Sequence, residues 1–177
     1  MTASGRNIVH SLAADRPLPV LAALAAATLA IAYASQYLGG LEPCQLCLYQ
    51  RWPWWAVLAI AGTGLWPKTN DRLRRALTGL CGGILLGGAA LAFFHAGVEQ
   101  GWWEGLASCG GGSVPGSLAE MQKMLNQPIV RCDQPAWTLF GVSMAGYNGL
   151  ASLLIGGWAV RMAAARGKSR QQGLADG

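Results

Sequence analysis

Four stretches of this chain, 17–38, 48–66, 76–95 and 140–160, are apolar over about 20 residues each, and that pattern leaves few folds open. A helix of about 20 residues matches the ~30 Å hydrocarbon core of a bilayer. Arg51 and His95 are the conventionally ionisable side chains inside these stretches, and both fall near the same end of the bundle they would form. Charged residues make up 12% of the chain, against roughly 25% in soluble domains. The chain is therefore expected to be an all-α membrane protein, a bundle of four transmembrane helices.

The net charge of +5 comes from topology and does not call for a nucleic-acid partner. Arg6 and Arg16 precede the first stretch; Lys68, Arg72, Arg74 and Arg75 separate the second and third; Arg161, Arg166, Lys168 and Arg170 follow the fourth. Ten of thirteen basic residues thus lie on one side. The other side carries Lys123 and Arg131 against Glu42, Glu99, Glu104, Glu120 and Asp133. The positive-inside rule then puts both termini in the cytoplasm, an N-in/C-in arrangement. On this reading residues 1–16, 67–75 and 161–177 are cytoplasmic, and loops 39–47 and 97–136 face outward. Tryptophans 52, 54, 55, 102, 103 and 137 gather at the outer ends, with 66 and 158 at the inner ends, as headgroup-level aromatics do. Ala32-Tyr33-Ala34 resembles a signal-peptide cleavage site, but the apolar run is longer than such a region needs and continues past it.

Within the second outer loop, Ser117-x-x-Glu120 reads as a capping box. Leu118, Met121 and Leu125 form an apolar stripe, so a short amphipathic helix is expected there, lying on the bilayer surface or packed on the bundle. Gly79, Gly83 and Gly87 in the third stretch, and Gly141, Ala145 and Gly149 in the fourth, form small-residue ladders that let helices approach closely in lipid. Pro43 is expected in the first turn of the second helix and Pro53 to kink it.

Four of the five cysteines lie at the outward face. Cys44 and Cys47 form Cys-Gln-Leu-Cys at a helix start; Cys109 and Cys132 lie in the large loop. A helix N-terminus favours thiolate. Arg51, one turn beyond Cys47 on the same face, is a cation that can stabilise a thiolate or an acceptor gaining negative charge, or else an interfacial anchor. His95 could donate a hydrogen bond or proton to a carbonyl-bearing acceptor, or simply end a helix. Zinc would need three or four Cys or His ligands, which the outward face could supply, but a second paired spacing is missing and an oxidising compartment opposes it. A redox dithiol without bound metal is the favoured reading. Cys81, mid-helix, reads as a small buried hydrophobe.

The string Glu42-Pro43-Cys44-Gln45-Leu46-Cys47-Leu48-Tyr49-Gln50-Arg51 closely resembles the disulfide bond formation protein B (DsbB) family. So do the Phe94-His95-x-Gly97-Val98-Glu99 stretch, the loop cysteines and Trp137…Phe140-Gly141…Met144, in four-helix context. The resemblance implies a protein-dithiol:quinone oxidoreductase of the bacterial inner membrane with its active site on the periplasmic side. It would reoxidise a periplasmic DsbA-like thiol oxidase and pass two electrons to a membrane quinone, ubiquinone or menaquinone. By position, Cys109 would form the mixed disulfide with the partner, Cys132 would hand electrons to Cys44, and Cys47 would react with the quinone, with Arg51 and His95 at the ring. The resting oxidised protein would hold Cys44–Cys47 and Cys109–Cys132 disulfides. A dedicated oxidase for one specialised partner is the nearest alternative, and a metal-handling membrane protein a distant one.

Overall fold

Leucine- and alanine-rich runs with few backbone competitors fold as long helices, and each helix end is set by a local signal. The computed structural model describes residues 17–106, 117–118, 122 and 131–175. Helix α1 is Pro17–Tyr37, α2 Gln45–Gly64, α3 Asp71–Glu99 and α4 Met144–Ala175. Pro17 opens α1 at the position where a missing N–H costs nothing. Asn70 caps α3, its side chain accepting from the Leu73 N–H at 2.9 Å. A hairpin, β1 (Thr138–Leu139) paired antiparallel with β2 (Val142–Ser143), leads directly into α4.

Several boundaries differ from those expected. Cys44, with Pro43 before it, stands outside the helix as the cap of α2, so Pro43 lies ahead of the first turn. Helix α3 begins at Asp71 inside the basic inner loop, because the Asn70 cap starts it early. The fourth apolar stretch does not begin as helix: Phe140 (φ 51°) and Gly141 (φ 77°) form a two-residue turn with both central residues left-handed, which fits a right-twisted hairpin. Helix α4 then continues through the residues read as a polar tail to Ala175. The expected amphipathic segment around residues 117–125 falls largely outside the described residues.

On length and apolarity, α1 and α3 qualify as membrane-crossing helices, each with a mean hydropathy of 1.9. Helix α2 is less apolar because Gln45, Gln50, Arg51 and three tryptophans crowd its first half; α4 carries Tyr147, Asn148 and Trp158. Many large apolar side chains point outward, among them Ile31, Trp52 and Leu154. That surface suits lipid better than water.

The helices pack in sequence, α1 on α2, α2 on α3, and most extensively α3 on α4. Helices α1 and α4 scarcely touch. The core of the bundle joins Leu21 and Leu29 of α1, Trp54 and Val57 of α2, and Cys81 and Leu85 of α3, with Cys81 a free, fully buried thiol. The α3–α4 approach runs through glycine, but only partly along the expected row, of which Gly79 alone faces α4, its Cβ position 3.4 Å from the Ala163 Cβ. A Cβ at Gly82 would lie 2.9 Å from the Gly156 carbonyl oxygen, and one at Gly156 would lie 3.0 Å from the Gly82 carbonyl oxygen. At Gly83 and Gly87 a Cβ would meet nothing within 4 Å. Gly149 does face α3, against Phe93 and Ala92.

Candidate functional site

The end of the bundle where α2 begins and α3 ends gathers the reactive side chains. Cys44 is the N-cap of α2: its Sγ accepts from the Cys47 N–H at 3.3 Å, in the place a serine or aspartate oxygen would occupy. The Cys44 and Cys47 sulfurs are 3.0 Å apart as free thiols, the dithiol form of the pair. The resemblance had implied a disulfide here for the resting oxidised protein.

The Cys47 thiol beside Cys44 is the largest influence on its ionisation and holds it well below the usual thiol range, down to about 4. Burial opposes this, while His95 and the Cys47 backbone N–H reinforce it. The helix N-terminus works in the same direction, so Cys44 is the thiolate of the pair.

His95, 1% exposed, sits on α3 with Nε2 3.5 Å from Cys44 Sγ. One turn on, Glu99 places Oε1 3.8 Å from the same nitrogen, while its buried Oε2 has no hydrogen-bond partner among the described residues. The other ring nitrogen, Nδ1, is 2.6 Å from Gln50 Nε2. Gln50 Oε1 accepts from Asn148 Nδ2 of α4 at 2.7 Å, and Asn148 Oδ1 accepts from the indole N–H of Trp54 at 2.9 Å. A polar chain thus runs across α2, α4 and α3 through the middle of the apolar bundle.

Cys132 is fully buried against Cys44, Leu46 and Val98. It is disulfide-bonded, and Cys109 lies outside the described residues. The reactive atoms of Cys44, His95 and Cys132 all lie within 4.8 Å of one another. Three such ligands could in principle hold a metal, but the disulfide removes Cys132 from thiolate ligation in this state. Flanking it, Arg131 and Asp133 form an exposed bidentate pair, Nε to Oδ1 at 2.9 Å and Nη2 to Oδ2 at 2.5 Å.

Arg51 faces the other way, toward α1. Its Nη1 donates to Gln36 Oε1 at 2.7 Å, and its guanidinium lies 4.7 Å from the centre of the Tyr33 ring. Both contacts offset part of the cost of holding a cation among apolar side chains. The same side chain borders a cavity of about 310 Å³, set where α1 and α4 fail to meet. Cys47, Gln50 and Trp54 of α2, Ile31 and Ala32 of α1, and Met144 and Asn148 of α4 contribute to its wall. His95 and Cys44 are not part of that lining; they stand behind it.

The structure brings Cys44, Cys47, Cys132 and His95 together and sets Arg51 apart, facing α1 and the cavity, so Arg51 and His95 do not share one lining. Gln36, Tyr33, Gln50, Trp54, Asn148 and Glu99 were not singled out as site residues. A signal existed for some of them: glutamine and asparagine within apolar helices are costly enough to mark a partner.

The sequence profile of the family described as "Disulfide bond formation protein DsbB" matches residues 15–162. A disulfide bond formation protein B of Aromatoleum aromaticum (strain DSM 19018 / LMG 30748 / EbN1) is 32% identical over 139 residues, covering 73% of this chain and 80% of the relative. An uncharacterised protein of Rickettsia prowazekii (strain Madrid E) is 29% identical over 140 residues, covering 77% of this chain and 80% of the relative. No solved structure matches.

Proposed function

Since the chain belongs to the DsbB family of oxidoreductases involved in disulfide bond formation, we propose that it oxidises a periplasmic DsbA-like dithiol and delivers two electrons to a membrane quinone. The observation that carries this reading is the division of the sulfurs. Cys44 lies within 4.8 Å of the loop sulfur Cys132, while its neighbour Cys47 borders the cavity. A thiol–disulfide relay needs contact of this kind on one side and an acceptor on the other.

The relay balances as follows. A partner thiolate attacks Cys109 of a Cys109–Cys132 disulfide and frees Cys132 as thiolate. Cys132 attacks Cys44 of a Cys44–Cys47 disulfide, releasing Cys47 as thiolate beside the cavity. The second partner thiol resolves the mixed disulfide at Cys109, and Cys109 thiolate resolves the Cys132–Cys44 bond. The net result is one oxidised partner and a reduced Cys44/Cys47 pair. Oxidation of that pair back to disulfide gives two electrons and two protons to the quinone, which becomes the quinol.

The cavity fits such an acceptor: its wall is mostly apolar, its volume is of the order of a quinone head group, and Arg51 supplies a cation at its edge. On this reading the site lies on the periplasmic side of the bacterial inner membrane, with four membrane-spanning helices and both termini in the cytoplasm. The charge distribution and the outward apolar side chains support that arrangement.

The test is trapping. Purified Cys132→Ala protein, whose Cys109 is then a free thiol, mixed with the disulfide form of a thioredoxin-fold oxidase should accumulate a partner–Cys109 mixed disulfide with release of one partner thiol, and Cys109→Ala should form none. Cys109→Ala protein should still let added quinone oxidise the Cys44/Cys47 pair. Normal turnover of partner and quinone by Cys109→Ala would overturn the relay.

A further inference from the structure

The polar chain that runs from the cavity wall back to His95 has a direction, and one residue sets it. An indole nitrogen can only donate. Trp54, 2% exposed in the bundle core, therefore requires the oxygen of Asn148, which leaves the Asn148 amide N–H₂ to face Gln50. Gln50 must then turn its oxygen toward Asn148 and its own N–H₂ toward His95. Nδ1 of His95, at 2.6 Å, can meet that donor only as a bare acceptor. In the neutral ring the proton is left on Nε2, the atom 3.5 Å from Cys44 Sγ.

We infer that Trp54, Asn148 and Gln50 are positioning residues that hold His95 in its Nε2–H tautomer, so that the ring donates to the Cys44 sulfur. None of the three touches the thiolate. Each acts through the next, across α2, α4 and α3. Without this order, either side amide could rotate end for end, and the ring could present a lone pair to Cys44. The ring would then repel the thiolate that the relay must form.

The arrangement also accounts for four polar side chains in an apolar bundle. Buried amides are tolerated when every donor has an acceptor. Here each link consumes the polarity left by the one before it. The other titratable groups facing His95 and Cys44 among the described residues are Cys47 of α2 and Glu99 of α3; the loop contributes the disulfide-bonded Cys132, whose backbone hydrogen-bonds the ring, and α4 only the neutral Asn148. Glu99 stands on the Nε2 side and favours the same proton position.

The inference deepens the relay reading above and rests on it for its purpose, but its test needs neither partner nor quinone. The chain has two histidines, so a His10→Gln background leaves His95 alone. Full-length protein with ¹⁵N-labelled histidine, thiols reduced, in detergent micelles, gives the tautomer from the ring nitrogen shifts. The two nitrogens are told apart by their couplings to the ring hydrogens. The expected result is a protonated Nε2 and a bare Nδ1. Trp54→Phe, which keeps the ring packing and deletes the donor, should give a mixture of tautomers. Asn148→Leu should do the same, and in both variants the pH midpoint of Cys44 alkylation should rise by about one unit.

If Asn148→Leu does not fold, Trp54→Phe decides alone. A protonated Nδ1 in the parent protein would overturn the inference. So would a pure Nε2–H signal persisting in the folded variants, which would leave the tautomer to Glu99, Cys44 and the Cys132 backbone. Failure of quinone reduction with the tautomer as expected would count against the relay reading and not against the hydrogen-bond chain.

Discussion

The sulfur of Cys44 stands 3.0 Å from that of Cys47 while also receiving the Cys47 backbone N–H at 3.3 Å. One residue thus supplies Cys44 with two donors, its thiol and its amide, because a Cys-x-x-Cys spacing places the second cysteine at the third residue of the helix that the first one caps. The pair is asymmetric by construction.

That asymmetry predicts the pH behaviour of the reduced protein. With Cys44 lowered to about 4, its alkylation by iodoacetamide should stay nearly constant from pH 8 to about pH 5 and fall only near pH 4. A thiol depressed in the folded state stabilises that state fully above the ordinary thiol range, and the contribution is lost as pH falls toward 4. The reduced protein should therefore lose thermal stability relative to Cys44→Ala across that interval as the medium is acidified. Quantitative mass spectrometry of the labelled cysteine and melting curves in detergent check both.

Arg51 reaches Gln36 and Tyr33 of α1 and borders the cavity. Arg51→Ala should raise the KM for quinone by about tenfold or more, the scale of one charge-assisted hydrogen bond. The rate of thiol exchange between the partner and the loop cysteines should remain within about twofold. Steady-state quinone reduction and stopped-flow thiol exchange separate the two. Equal loss of both would assign Arg51 to folding or anchoring.

Fusions to a reporter active only outside the cytoplasm test the topology. A fusion at glycines 110–112 should be active and one after Lys168 inactive. The reverse pattern would put Cys44 and Cys132 in a reducing compartment, where the proposed relay could not be sustained.

The glycine contacts make a packing prediction. Gly156→Leu must displace the Gly82 backbone and should destabilise the bundle by about 1–3 kcal/mol. Gly83→Leu and Gly87→Leu, which face open space, should change stability little. Thermal unfolding in one detergent compares all three.

The contrast between those glycines marks where sequence reading stops. A ladder at four-residue spacing identifies a small-residue face, but Gly79, Gly83 and Gly87 share that spacing without all facing a neighbour, and Gly82 was passed over. Which row meets α4 depends on how the helices rotate against each other, a property of the whole bundle. The cysteines were legible because their chemistry and spacing are local to one helix start, and Arg51 because it follows by one turn. Gln36 and Asn148 were not, since their partners come from α2. The hairpin before α4 was hidden for a different reason: it needs a left-handed Phe140, a conformation that nothing about phenylalanine announces.

Helices α1 and α4 scarcely touch, and the cavity occupies the space between them. On the proposed membrane placement, that seam faces hydrocarbon. An acceptor dissolved in lipid would arrive at Cys47 by sideways diffusion within the bilayer, without crossing into water. Its effective concentration is then its mole fraction among the lipids. Turnover should saturate with the ratio of quinone to phospholipid, and diluting the same vesicles in buffer should leave the rate per enzyme unchanged.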